Sequence, residues 1–193
     1  MPYTPKDYKY LLGTAGFSDN ALNSHFKLYE GYVKNTNTLV EDLGKMTEAG
    51  EAGTPAHSEL QRRLGWEWNG MRLHEIYFGA MTKEFKPLAS DSPLMAEINR
   101  IYGSYDAWEK DFKTIGMMRG MGWIILYYDP ESKELFNTWI NEHDVGHLAG
   151  CTPLLAMDVL EHAYIFDYGT NRADYIDAFI KAIDWNVVSK RFA

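Results

Sequence analysis

Residues 123–141 read WIILYYDPESKELFNTWIN, and this stretch decides the fold class. WIILYYD at 123–129 is dense in β-branched and aromatic residues, which suit a pleated, half-buried surface. DPES then turns the chain, and ELFNTWIN at 134–141 runs back as a second strand. A third apolar run, PLLAMDVL at 153–160, reaches an acidic residue and gives way to a helical segment containing HAYIFDY. Upstream the texture is different. Residues 1–17 read as an irregular arm punctuated by Pro2, Pro5, Gly13 and Gly16. Ser18 or Asp19 can cap a helix, and Leu22, Phe26, Tyr29, Val33, Val40 and Leu43 recur at helical spacing to about residue 47. EAGEAGTPAHSE at 48–59 reads as a linker, followed by a second long helix from Glu59 to Phe85 that carries Leu60, Leu64, Met71, His74, Phe78 and Met81. Two long helices joined by a short linker pack most economically as an antiparallel hairpin. KPLASDSP at 86–93 is the best boundary, and helices are expected near 93–102, after Ser104, and from about Asp174 to the end. The expected architecture is α+β. A long-helix hairpin domain (1–88) precedes a C-terminal α/β domain (89–193) whose small three-stranded antiparallel sheet is flanked by helices.

Composition narrows the function classes. The 193 residues carry 19 Lys and Arg against 27 Asp and Glu, a formal charge of −8, with no basic block, which argues against nucleic acid as a partner. No apolar run approaches the length a membrane span needs. The start, MPYTPKDYKYLLGT, has charges where an export signal would have its apolar centre. The one cysteine, Cys151, cannot form an internal disulfide, and it fits a small packed thiol in a reducing compartment. The expected location is the cytoplasm.

The candidate chemistry lies in the histidines. His25 and His74 fall on the inferred inward faces of the two long helices, where facing helices commonly build a metal site. Taken singly, each reads equally well as a core histidine bonded to a carbonyl. The decisive segment is DVLEHAY at 158–164. Asp158 ends an apolar strand and His162 follows one helical turn later, so a carboxylate and an imidazole come within reach of one ion. Glu161 diverges from His162 by about 100° of helical rotation. Three imidazoles with one carboxylate suit a first-row redox metal better than calcium or magnesium, and zinc is allowed by ligand type alone.

DVLEHAY resembles the Asp-x-Trp-Glu-His-Ala-Tyr signature of the iron/manganese superoxide dismutases. The resemblance extends over essentially the whole chain: HFKLYEGYVKNTN (25–37) and NGMRLHEIYF (69–78) match the two helix motifs, GMGWIILYYD (120–129) the first strand, and TNRADYIDAF with DWNVVSKRF the C-terminus. It implies dismutation of superoxide at one iron or manganese ion per chain, held by His25, His74, Asp158 and His162. It further implies a homodimer or tetramer in which Glu161 reaches His162 across the interface. Arg172 matches the arginine near the substrate funnel, where local positive charge steers an anion toward an acidic chain. Trp123 and Tyr164 match aromatic positions around the site. His143 matches the position that hydrogen-bonds metal-bound solvent, with His147 as its rival. Gly70 stands where other members carry a glutamine, as in the subgroup that uses a histidine instead.

Several positions depart from the family pattern. Typical members place the first ligand eight residues before a gateway tyrosine; His25 precedes Tyr32 by seven, and the eighth position is Ser24, a poor ligand. Seven steps return to within about 20° of the same helix face, so both can point inward. Tyr29, one turn after His25, competes for the gateway role. The usual outer histidine and its tyrosine partner are replaced by Leu28 or Tyr29 and by Ile165; Leu160 replaces a tryptophan and Ile125 another aromatic. His57 is read as a linker residue without a role. A non-enzymatic metal-binding or scaffold protein of the same fold is the alternative. A di-iron bundle fails, because HSEL, LHEI and LEHA supply no Glu-x-x-His pair.

Overall fold

Ser18 caps the first helix, its hydroxyl oxygen accepting from the Ala21 amide, and α1 runs from Asp19 to Glu48. Its buried residues include Leu22, His25, Phe26, Tyr29, Tyr32, Val33, Leu39 and Leu43; the expected stripe holds except at Val40, which is exposed while Leu39 turns inward instead. The computed structural model describes residues 2–192. The second helix, α2, spans Pro55–Gly79, four residues ahead of the expected start and six short of the expected end. Thr54 accepts from the His57 amide, and Pro55 occupies the first helical position, where its missing N–H costs nothing. His57 therefore belongs to the first turn of α2 rather than to a linker. Met81, expected on the helix, instead forms an antiparallel bridge with Ile183. The arm before α1 is irregular apart from a 3-10 turn at Lys9–Leu11, and it is tied to α1 where the Tyr3 backbone bonds the Asn37 amide at 2.6 and 2.8 Å.

After α3 (Pro93–Tyr102) and α4 (Tyr105–Gly116) come β1 (Gly122–Asp129), β2 (Glu134–Asn141) and β3 (Thr152–Asp158). They form one antiparallel sheet in the order β2-β1-β3, with Trp123 opposite Ile140 on one side and Asp158 on the other. The central position of β1 explains its unbroken apolar run: Trp123 through Leu126 are wholly buried, so neither face of the strand needs polar residues. Of the two neighbouring strands β2 alternates more, whereas β3 is buried without a break from Leu154 to Asp158. The C-terminal stretch departs from expectation. The helical segment expected around HAYIFDY is α5 (Ile165–Tyr168), and in place of one helix from Asp174 there are α6 (Arg172–Ile180) and α7 (Trp185–Phe192). The chain leaves the helix at Lys181 because Ala182 O accepts from Thr82 N–H and Asp184 N–H donates to Ala80 O, which ties this segment to the end of α2. Tertiary pairing outweighs the apolar periodicity there. No helix among the described residues is long and apolar enough to cross a membrane.

Candidate metal centre

The two halves of the chain meet around Asp158, the last residue of β3, which is fully buried. Its Oδ2 lies 3.2 Å from His25 Nε2, 3.0 Å from His162 Nε2 and 3.6 Å from His74 Nε2. The four ligand atoms all fall within 4.8 Å of one another. Donors about 2.0–2.2 Å from a shared ion lie about 3 Å or more from each other, so this spread suits one metal ion. Each side chain arrives by a different route. His25 comes from the first turns of α1, His74 from the last turns of α2, and His162 from a 3-10 turn (Glu161–Ala163) directly after β3.

The surrounding contacts aim these donors. His74 Nδ1 lies 2.6 Å from Gly70 O, a carbonyl that can only accept, so Nδ1 carries the proton and Nε2 keeps its lone pair. That Nε2 is buried without a hydrogen-bond partner among the described residues, as expected of a nitrogen whose partner is a cation. Asp158 is fixed twice: Oδ1 accepts from Leu160 N–H at 2.8 Å, and its backbone carbonyl accepts from the Tyr175 hydroxyl at 2.5 Å. Phe78 packs edge-on to His25 and Trp123 edge-on to His74, with ring centroids 4.8 and 5.0 Å apart, so water is excluded from the outer faces of the imidazoles.

Burial and charge set the protonation states. Burial lowers the pKa of His25 and lowers that of His74 further, against the attraction of Asp158. Burial also opposes a charge on His162, but the adjacent Asp158 carboxylate outweighs it and raises the pKa. Asp158 remains ionised: burial pushes its pKa up, while His162 and His25 pull it well below the usual carboxylate range. One anion thus faces three imidazoles, two of them held neutral. A proton on His162 can balance it, and so can a divalent or trivalent cation accepting all three lone pairs.

Beside the donors lies a second cluster. Tyr32 Oη is 2.7 Å from His143 Nε2, and the Trp123 indole N–H donates to His143 Nδ1 at 3.0 Å. Since Nδ1 accepts, the neutral His143 ring carries its proton on Nε2 and donates to the tyrosine oxygen. His143 is fully buried, which lowers its pKa to about 4. Of the two tyrosines left open by the sequence, Tyr32 reaches this cluster, whereas the Tyr29 hydroxyl donates to Glu75 Oε1 at 3.1 Å and accepts from the Lys6 amide. Of the two loop histidines, His143 faces Tyr32; His147 bonds the His143 carbonyl and Tyr127. Gly70 has a steric role besides: a Cβ there would lie 2.5 Å from Tyr32 Cδ1.

The remaining candidates occupy the rim. Arg172 is only partly available as a free charge, because its guanidinium donates to Met118 O at 2.7 Å and Gly120 O at 3.1 Å and lies over the Tyr164 ring. Tyr164 is buried and packs against Tyr175. Glu161 and Ile165 are exposed, Leu160 is half-buried, and Ile125 is fully buried in the sheet. Sequence reasoning missed Tyr175, whose bond to the Asp158 carbonyl crosses 17 residues, and Trp66, which packs on Tyr32 and His143 at 5.6 and 4.7 Å and donates to Glu142 at 2.9 Å. The Gly70 carbonyl could have been found, since it lies one helical turn before His74.

Comparison with known proteins agrees with this geometry. Residues 90–191 match the family model described as iron/manganese superoxide dismutases, C-terminal domain. A manganese superoxide dismutase of Haloferax volcanii is 35% identical over 192 residues, covering 97% of this chain and 93% of the relative. An iron superoxide dismutase of Cupriavidus metallidurans is 35% identical over 181 residues, covering 92% and 89%. One of Aquifex pyrophilus, also an iron enzyme, is 35% identical over 193 residues, covering 97% and 90%. With one buried carboxylate gathering three imidazoles and near-full-length similarity to enzymes of both metals, the chain belongs to the iron/manganese superoxide dismutase family.

Proposed function

We infer that this protein is a superoxide dismutase, converting superoxide to dioxygen and hydrogen peroxide with one iron or manganese ion per chain. The observation that carries this reading is the convergence of three imidazole Nε2 atoms on Asp158 Oδ2, one of them buried with no hydrogen-bond partner among the described residues. His25, His74, Asp158 and His162 would hold the ion, which when bound supplies a one-electron couple that takes an electron from one superoxide and returns one to the next.

Two superoxide anions and two protons give one dioxygen and one hydrogen peroxide, so the site must bring protons into a buried space. Tyr32 is suited to this. Its oxygen accepts from His143, which leaves its own proton free to point elsewhere, toward a group beside the donors. Burial, together with the negative charges of Asp158 and Glu67, raises the Tyr32 pKa and keeps the phenol protonated. His143 stays neutral near pH 7 and aligns Tyr32 rather than storing a proton. Arg172 adds positive charge at the rim beside Tyr164 and favours approach of an anion to a chain of charge −8. A second copy of the chain would complete this rim, with Glu161 reaching His162 of the partner subunit. The exposed Met117, Met118 and Ile165, which share a cleft with Glu161, support such an interface. The single cysteine supports a cytoplasmic location.

Purified protein is expected to contain close to one iron or manganese per chain and to dismutate superoxide. His162→Ala should lower metal content and activity at least about ten-fold, as measured by elemental analysis and a superoxide assay. A wild type that takes up neither metal, or stays inactive once loaded, would overturn the assignment.

A further inference from the structure

The loop between β2 and β3 carries His143 on an irregular backbone. Glu142, Gly146 and Gly150 have φ of 51°, 108° and 85°. Asn141 and Val145 exchange backbone bonds at 2.8 and 3.3 Å, Glu142 N–H donates to Met121 O, and Cys151 N–H to Leu148 O. None of these bonds uses the His143 carbonyl. That oxygen lies 2.8 Å from His147 Nε2, and the other nitrogen of the same ring, Nδ1, lies 2.7 Å from the Tyr127 hydroxyl. A carbonyl can only accept, so Nε2 bears the proton; Nδ1 of the neutral ring then accepts, and Tyr127 donates.

We propose that His147 is a positioning residue of this site: with Tyr127 it fastens the His143 peptide to β1 and so sets the direction in which His143 presents its Nε2–H to Tyr32. The inference rests on the dismutase reading of the site. Trp123 and Tyr127 are four residues apart on β1 and therefore share one face of the strand. Trp123 holds the imidazole of His143, while Tyr127 holds its backbone through His147. One strand face thus grips His143 at two points, so that a loop of irregular backbone keeps a 2.7 Å contact with a helix residue 111 positions away. The two loop histidines form a single device, in which one acts on Tyr32 and the other acts on the first.

The test uses the metal-loaded, full-length protein. His147→Leu removes both bonds at similar bulk, whereas His147→Gln keeps an amide that can donate to the carbonyl and accept from Tyr127. Proton supply through Tyr32 enters kcat, whereas encounter with the anion sets kcat/KM. His147→Leu should lower kcat on the order of ten-fold, the scale of a small misplacement of a reacting group, with kcat/KM changed less than about two-fold. His147→Gln should recover most of the loss. Hydrogen exchange by mass spectrometry should show faster exchange at residues 142–150 in the Leu variant than in the Gln variant. An unchanged kcat in the Leu variant, equal losses in kcat and kcat/KM, or a Gln variant no better than Leu would each overturn the proposal. If His147→Leu does not fold, Tyr127→Phe carries the same test: a kcat-selective loss supports the fastening and an unchanged kcat refutes it. Inactive wild-type protein would remove the function alone, and the exchange comparison would then decide the fastening by itself.

Discussion

The three converging imidazoles with Asp158 and the His143–Tyr32 pair lie in one connected cluster, yet they are held in different ways. His25 and His74 are carried by long helices, and Asp158 is the last residue of a strand paired with the central strand, so their positions follow from regular backbone. His143 lies on a loop whose neighbours Glu142 and Gly146 both have positive φ, and it is placed by side chains from three directions: Trp123, Tyr32 and, at its carbonyl, His147. The comparison teaches that the donor set relies on secondary structure for precision, whereas the His143–Tyr32 pair relies on a network of individual bonds. Single bonds are worth roughly 0.5–1.5 kcal/mol, so the network is the part more easily mistuned.

The largest expected effect tests whether both regions share one electrostatic condition, namely imidazoles buried neutral. In metal-free protein, His25, His74 and His143 have lowered pKa values, whereas the unfolded chain protonates its histidines near 6.5. As pH falls below that value the unfolded state gains protons that these three rings refuse, and native stability drops. His143 alone, lowered to about 4, should cost about 3 kcal/mol by that pH. His162 acts in the opposite sense: its raised pKa contributes stability that is present below the unfolded value and lost as pH rises through the folded one. Asp158 contributes above its unfolded value, and that part is lost only as pH falls through its depressed pKa. Denaturant titrations at pH 7.5 and 4.5 should show the net fall, and a flat profile would mean that the rings are not buried neutral.

A mid-sized effect separates helix propensity from site geometry. Gly70→Ala gains about 1 kcal/mol of helix propensity but drives a methyl into the buried Tyr32 ring, with contacts of 2.5, 2.7 and 3.0 Å. Overpacking of this kind costs about 1–3 kcal/mol, so the variant should melt lower and lose activity as Tyr32 moves away from His143. Gly65→Ala, in the same helix with nothing within 4 Å of the added carbon, should melt higher by the equivalent of about 0.5–1 kcal/mol. Equal behaviour of the two variants would remove the steric argument for Gly70.

The smallest effect concerns the outer edge of the network. Trp66→Phe keeps the ring packed on His143 and removes its 2.9 Å bond to Glu142, which lies at the surface. Stability should change by about 0.5–1 kcal/mol or less in chemical denaturation, with the donors unaffected and metal content unchanged. A loss of metal would show that the two regions are not separable.

Much of the donor set could be read along the chain because helix and strand periods carry it. Seven residues after His25 the α-helix returns to the same face, and Tyr32 is indeed buried there with Tyr29. The choice between those tyrosines could not be read, because both point inward; what separates them is Glu75 beside one and His143 beside the other, contributed by different elements. Nor could the sequence show that the Arg172 guanidinium is held in place by carbonyls of the segment before β1, 52 and 54 positions away. The early start of α2 was written in Thr54 and Pro55, but a Gly-rich composition just before them was read as linker through Glu59.

Taken alone, the sequence determined the α+β order, the helical hairpin and the three strands, because burial periodicity and capping are local and repeat along the chain, while its resemblance to a family singled out the four residues that gather at the end of β3. Only the tertiary structure decided that the last helix breaks to pair with the end of α2, that Tyr32 rather than Tyr29 faces the loop, and that His147 and Trp66 surround His143. Those outcomes depend on single contacts between residues far apart in the chain, and no local pattern encodes which distant side chain will be within 3 Å.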